Sequence, residues 1–418
     1  MNLKEIVKSN LCISCGACVY ASQGKLHMKK NKRKGIYMPE DVVALSDQEE
    51  AKIRTVCPAQ GFPIVAMANS IHVNAPFYDY RVGRYISYFA AKSNSSAVLQ
   101  KASSGGIMTE LAIYLLKNNL VQGIIATTFK YEGLEIVPHT KIYTDWQEIL
   151  KAQGSKYMPV PALTILKDVQ EFNGKLAFIG TPCQIASIRL LQNEEPIFKE
   201  KIKYTIGNFC GGFKDLKELS RLRSIAKMSN DVISEFQYRG DGQPGYMIFK
   251  TQSNKIWRYS YPDYGKLTGY MKYYRCRVCV DAMAELADVS CGDAWLPNFK
   301  SAGGNWSVVV VRNQSLAEIL LKMNNEGVIE KAEITFEDLI LSQKQNLNSK
   351  KERYVGRVNF LRKLGFKIPI YDAGWNFENK SSLCFEAKVY FSQILKLKLE
   401  EVGLYSVMNK YVRKLLNK

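Results

Sequence analysis

Eight of the ten cysteines fall into two sets of four, and no other feature constrains this chain as much. The first set is Cys12-Ile-Ser-Cys15-Gly-Ala-Cys18, completed by Cys57-Pro58. The second is scattered: Cys183 in Gly-Thr-Pro-Cys-Gln, Cys210 in Asn-Phe-Cys-Gly-Gly, and the pair Cys276-Arg-Val-Cys279. A Cys-x-x-Cys-x-x-Cys run lets one short loop wrap three irons of a 4Fe–4S cubane with soft thiolate ligands. Gly16 permits the tight backbone between the second and third cysteines. Only one such triplet is present, so Cys57 is expected to complete the same site. A structural zinc site competes with this reading, but zinc usually takes two Cys-x-x-Cys knuckles. Two clusters in one chain imply electron transfer.

Composition narrows the class. The apolar fraction of 46% and charged fraction of 23% are those of a water-soluble globular protein. No apolar run reaches the roughly 20 residues that span a bilayer. The N-terminal residues carry no secretory signal pattern, so a cytoplasmic location with reduced thiols is expected. The net charge is +19, with basic residues gathered at Lys25–Lys34, Lys344–Lys367 and Lys410–Lys418. Such patches suit a solvated cationic surface, an acidic electron carrier such as ferredoxin, or peripheral contact with anionic lipid. Nucleic acid is the least favoured partner, because no nucleic-acid-binding signature accompanies the charge.

Residues 1–75 read as a small cysteine-bearing unit with a hydrophilic insert, Gln23–Glu50. After an aromatic joint at Ala75–Tyr80 the pattern alternates between strand and helix. Strands are predicted at Ile86–Lys92, Val121–Phe129, Lys175–Gly180, Ile202–Asn208, Ala287–Ser290 and Ser307–Val311, with helices at Ile107–Lys117 and Gln184–Leu191. The Tyr-, Gly- and Pro-rich stretch Asp231–Tyr274 is read as short antiparallel strands. The expected fold is α/β, a mixed sheet with helices on its faces, preceded by a small ferredoxin-like iron–sulfur domain. The expected parts are 1–75, 84–170, 171–335 and a basic helical extension, 340–418.

The second cysteine set gains force from this layout. Lys175–Gly180 runs into Thr181-Pro182-Cys183, where Thr181 suits a helix cap and Pro182 its first position. Cys183 then lies at a helix N-terminus, which favours its thiolate. Cys210 follows another strand and precedes Gly211-Gly212, which let backbone come close. Ligands at the carboxyl ends of strands belong in the crevice where open α/β sheets bind ligands. Ser103-Ser104-Gly105-Gly106 precedes a helix and offers free N–H groups to a phosphate, although ordinary capping explains the same residues.

Several segments resemble the coenzyme F420 hydrogenase/dehydrogenase beta-subunit family, which includes plant 7-hydroxymethyl chlorophyll a reductase. They are Ser103–Thr109, Gly154-Ser155-Lys156-Tyr157, Gly180–Gln184, Phe209–Gly211 and, most specifically, Cys276–Asp293. The resemblance implies FAD beside a 4Fe–4S cluster on Cys183, Cys210, Cys276 and Cys279, with a second 4Fe–4S cluster in front. Ser103, Ser104, Gly105, Gly106, Thr109, Gly154, Ser155, Lys156 and Tyr157 are the expected flavin-site residues, Lys156 for charge and Tyr157 for stacking. Cys291 is expected beside the cluster and not on it, and Cys384 as a buried or free thiol. His27, His72 and His139 lie outside the motifs; Asp288, Asp293 and Arg189 lie close to ligands, and no catalytic acid or base is assigned.

The main expectation is an iron–sulfur flavin-dependent oxidoreductase. It would relay electrons from a ferredoxin-type or deazaflavin donor through two clusters to FAD and a small organic substrate. The alternative is an electron-transfer subunit with no substrate of its own, and a remote one is a zinc-stabilised binding module.

Overall fold

The computed structural model describes residues 1–418 apart from 42, 243, 262, 302–304, 373–379, 403 and 405–418. Its centre is an eight-stranded mixed sheet. In chain order the strands are β1 (Ser87–Ser93), β2 (Gly123–Glu132), β3 (Glu135–Tyr143), β4 (Leu176–Gly180), β5 (Ile202–Asn208), β6 (Val289–Asp293), β7 (Ser307–Val311) and β8 (Ile329–Ala332). Across the sheet they run β8-β1-β7-β6-β5-β4-β2-β3. The four central strands β6, β5, β4 and β2 are mutually parallel, and the flanking pairs are antiparallel.

Side chains alternate between two cores, as a strand period of two requires. Leu176 and Phe178 face a core with helix α2 (Pro182–Glu194) and the N-terminal residues, whereas Ala177 faces one with helix α1 (Ile107–Lys117). The expected mixed α/β architecture is thus present, with one sheet running through both 84–170 and 171–335.

The first 72 residues form short helices, a further helix over Asp47–Val56, and a hairpin pairing Leu26–Asn31 with Ile36–Asp41. That hairpin occupies the stretch expected as a hydrophilic insert, and Gly35 turns it at φ +67°. Asp231–Tyr274 holds three antiparallel strands, Ile233–Gln237, Tyr246–Thr251 and Ile256–Ser260, followed by short helices.

The basic stretch from 340 is helical over Phe336–Ser342, Lys344–Leu347, Tyr354–Lys363 and Leu383–Glu401, with a wider π turn at Asn348–Glu352. It also straps back across the molecule. Ile370 N–H donates to the Gln60 carbonyl at 2.8 Å, and Asp372 accepts from the N–H groups of Val65 and Ala66. Part of this basic run is therefore not a solvated surface: Lys350 and Lys351 are 2% and 0% exposed. The expected basic tail Lys410–Lys418 lies outside the described residues. Among the described residues no helix is long and apolar enough to cross a membrane.

Candidate functional site

One cavity of about 290 Å³ opens at the carboxyl ends of β4, β5 and β6, lined by Gly180, Asn208 and Asp293 among others. The turn before α1 belongs to its lining. Gly106 takes φ +73° and leaves the first N–H groups of this eleven-residue helix without a side-chain cap. A Cβ on Gly105 would come within 2.4 Å of the Ala91 carbonyl oxygen, so only glycine lets the turn lie against β1 and β7. The Gly105 N–H donates to Ser307 Oγ at 2.9 Å, and Ser104 Oγ lies 2.7 Å from the same hydroxyl.

The two flavin-site segments expected from sequence meet here. Ser155 donates to Ser103 Oγ through its N–H at 3.1 Å and its hydroxyl at 3.0 Å. Ser103, Ser104, Gly106, Thr109, Gly154, Ser155, Lys156 and Tyr157 all line the cavity, and Gly105 lies behind them. Lys156 is half-buried in that lining. Its ammonium donates to the carbonyls of Ala152, Gln153 and Gly154 at 2.5–2.9 Å, tying the loop to itself, while burial lowers its pKa to about 7. Tyr157 packs edge-on to Tyr238, with ring centroids 5.4 Å apart.

Two groups at this site escape sequence reasoning, one in the cavity lining and one bonded to a lining residue. Gln153 lines the cavity with both amide atoms buried and unpartnered. Burying a donor and an acceptor without partners among the described residues costs about 1–3 kcal/mol each, which leaves this amide open to a group in the cavity. Arg239, 1% exposed, forms a two-pronged pair with Asp293 at 2.8 and 2.9 Å and lies 4.3 Å from the Tyr261 ring. It holds Asp293 in the wall. Asp288 is different, because it closes an interior network with Arg189 at 2.9 Å and with Thr205.

The same cavity is also lined by Cys183, Cys210, Cys276 and Cys279. Helix α2 begins at Pro182, the first position expected for it; Gln184 Oε1 accepts from the Thr181 N–H at 2.9 Å, and Thr181 Oγ1 lies 3.3 Å from Cys183 Sγ. A Cβ on Gly212, at φ +117°, would meet Cys276 Cβ at 2.8 Å, so the glycine makes room for the ligand loop. Phe213 N–H points to Cys276 Sγ at 3.4 Å, and Lys350 Nζ lies 3.5 Å from Cys279 Sγ. Burial and Cys210 raise the Cys276 thiol to about 11; burial raises Cys279 too, but Lys350 and Arg275 outweigh it and leave that thiol below its usual value.

Cys12, Cys15, Cys18 and Cys57 bear on one another electrostatically, and burial raises Cys12, Cys15 and Cys57 to about 12. Buried thiols of this kind need a cation or a cluster to displace their protons. Gly16 takes φ +88°, and a Cβ there would lie 2.7 Å from Thr164. Arg275 ties the two sets together. Its Nε donates to the Ala59 carbonyl, and Nη2 to the Pro58 carbonyl and the Tyr371 hydroxyl, all at 2.9–3.0 Å. Ser187 in α2 also donates to the Val56 carbonyl, one residue before Cys57.

All ten cysteines are free, and Cys384 is exposed. Cys291 is buried in β6 and reaches the cavity wall, but none of the four ligand candidates bears on its thiol. Among the described residues no three His, Cys, Asp or Glu groups converge on a single metal ion. A tetrahedral zinc at about 2.3 Å from each sulfur would need thiolates about 3.8 Å apart. His72 is buried with Nε2 unpartnered, and burial lowers its pKa to about 3; His27 pairs with Glu40 at the surface.

Residues 88–167 match the N-terminal part, and residues 173–337 the C-terminal part, of the family described as coenzyme F420 hydrogenase/dehydrogenase, beta subunit. The chain is 29% identical over 298 residues to coenzyme F420 hydrogenase subunit beta of Methanococcus voltae, covering 69% of this chain and 99% of that one. It is 26% identical over 337 residues to the coenzyme F420-dependent sulfite reductase of Methanocaldococcus jannaschii, covering 76% of this chain and 46% of that protein. A chain of the F420-reducing [NiFe] hydrogenase complex from Methanosarcina barkeri shares the fold, with a TM-score of 0.55 at 23% identity, over 72% of this chain and 99% of that one.

Proposed function

Since the chain belongs to the coenzyme F420 hydrogenase/dehydrogenase beta-subunit family, we propose that it is an electron-transferring subunit of an oxidoreductase complex, holding FAD and two 4Fe–4S clusters. The relatives named as hydrogenase subunits favour this partner-dependent reading over an enzyme with an organic substrate of its own. One observation carries it. The Gly-rich turn and the second cysteine set line one and the same cavity, so a flavin at the first would share that cavity with a cluster at the second.

The residues fit these groups. The uncapped N–H groups at the start of α1 suit a diphosphate. The unpartnered Gln153 amide, one donor and one acceptor, suits the edge of a flavin ring, which carries both. Four thiols, Cys276 buried and the other three half-buried, with an N–H and an ammonium directed at two of them, suit a sulfur-ligated cluster. Bound together, a flavin and a cluster interconvert two-electron and one-electron transfer. What the chain itself supplies is position: Arg275 fixes the spacing of the two cysteine loops, and the Ser103–Ser155 contacts join the two halves of the flavin wall. The +19 charge suits an acidic partner such as a ferredoxin, which it would steer at low salt.

The test is the content of iron, acid-labile sulfide, zinc and flavin in protein purified without oxygen. About eight irons and about one flavin per chain are expected. Zinc in place of iron, with no flavin, would leave only a metal-stabilised binding module. Steady turnover of an organic substrate by the isolated chain would restore the enzyme reading. Gln153→Leu should weaken flavin binding by about tenfold, the worth of one or two hydrogen bonds, as read by flavin release on dilution. Unchanged retention would move the flavin ring away from this amide.

A further inference from the structure

Lys350 lies beyond the residues that match the family, which end at 337. It is carried by the π turn Asn348–Glu352, where Arg353 N–H reaches back five residues to the Asn348 carbonyl. Such turns are rare and recur at functional sites. This one buries two consecutive lysines, which turn to different partners. Lys351 forms an ion pair with Glu285 at 2.5 Å. Lys350 goes instead to the Asp281 carbonyl at 2.6 Å and to Cys279 Sγ at 3.5 Å.

The charge balance around Lys350 is unusual. A buried ammonium costs several kcal/mol unless an opposite charge stands against it. Among the described residues no carboxylate lies within ion-pair distance of Lys350, and the Asp281 side chain is occupied by the N–H groups of Met283 and Glu285. The remaining partner is the Cys279 sulfur and whatever that sulfur holds. Lys272 and Arg275 add to the positive charge on this side of the cavity.

We propose that Lys350 sets the reduction potential of the cluster at Cys183, Cys210, Cys276 and Cys279, through its charged hydrogen bond to Cys279. The proposal rests on the cluster reading above. Reducing a cluster by one electron adds one negative charge to it and its ligands. A fixed cation and N–H donor at a ligand sulfur stabilises that state more than the oxidised one, which raises the potential. The C-terminal strap is then part of the redox centre, and this chain tunes the centre from a segment outside the matched family region.

The experiment is an anaerobic redox titration of the full chain, followed by electron paramagnetic resonance. Wild type, Lys350→Gln and Lys350→Arg are compared, with iron and sulfide assayed in each. In Lys350→Gln, one of two midpoint potentials should move to more negative values at wild-type iron content. The other, from the cluster at Cys12, Cys15, Cys18 and Cys57, should stay and serve as the internal reference. Lys350→Arg keeps the charge and should lie nearer to wild type. An unchanged pair of potentials in Lys350→Gln overturns the proposal. So does loss of iron in that variant, which would make Lys350 a structural clamp. Wild-type protein without iron would defeat the cluster reading itself, a separate result.

Discussion

Cys183→Ser and Cys279→Ser are each expected to lower iron from about eight to about four atoms per chain. Flavin reduction from a one-electron donor should be lost with it. The effect is large because the four thiolates come from three pieces of chain that only the fold brings together, and each is needed to close the site. Cys183 opens α2, and Cys279 follows the short helix Tyr274–Arg277. Removing the Cys279 sulfur also strands the Lys350 ammonium, whose other hydrogen bond goes to a neutral carbonyl. The remaining irons should stay on the first set, which has its own loop and its own cysteines. Cys291→Ala is the matched control and should keep its full iron, since that thiol is bounded by the strand core and not by the four others. Full iron in both serine variants, or lost iron in Cys291→Ala, would mean that the ligand set is wrong.

Some of this site is legible in the sequence and some is not, for physical reasons. Ile202–Asn208, Ser307–Val311 and helix Ile107–Lys117 have the same bounds in the structure as in the sequence reading. Ser307–Val311 is an apolar run buried on both faces, Ile202–Asn208 is buried over Tyr204–Gly207, and the helix has a Gly-Gly start that marks its end sharply. Strand β3 escapes notice because Pro138 interrupts its pattern and polar residues alternate along it. The sheet tolerates this because β3 is an edge strand, where a missing N–H faces no partner. The cysteines announce themselves by spacing. Gln153, Arg239 and Lys350 do not: the first is set apart only by where the fold buries it, and the other two by contacts distant in sequence. Lys350 meets Cys279 across 71 residues, and Arg239 meets Asp293 across 54. A lysine in a basic run reads as a surface charge until the fold turns it inward.

The second lysine of the π turn supports the other large expected effect. Lys351→Met should destabilise the protein by about 3–5 kcal/mol, because it leaves the Glu285 carboxylate buried without its partner. The penalty should also depend on pH, with a defined sign. Burial raises the Glu285 carboxyl above its ordinary value, and Lys351 pulls it down. Without Lys351 the folded-state value rises further above the unfolded value of about 4.3. A carboxyl raised in the folded state binds more protons folded than unfolded, so its contribution is lost as pH rises through the folded value. The gap in melting temperature between Lys351→Met and wild type should therefore be small near pH 6 and wide near pH 8.5. A gap that stays constant over that range would mean that Glu285 is not the charge left behind. The two lysines would then differ in role as well as in partner: Lys351 neutralises a carboxylate of the chain itself, and its loss is read in stability. Lys350 forms no ion pair with a carboxylate among the described residues, and its loss is read in potential.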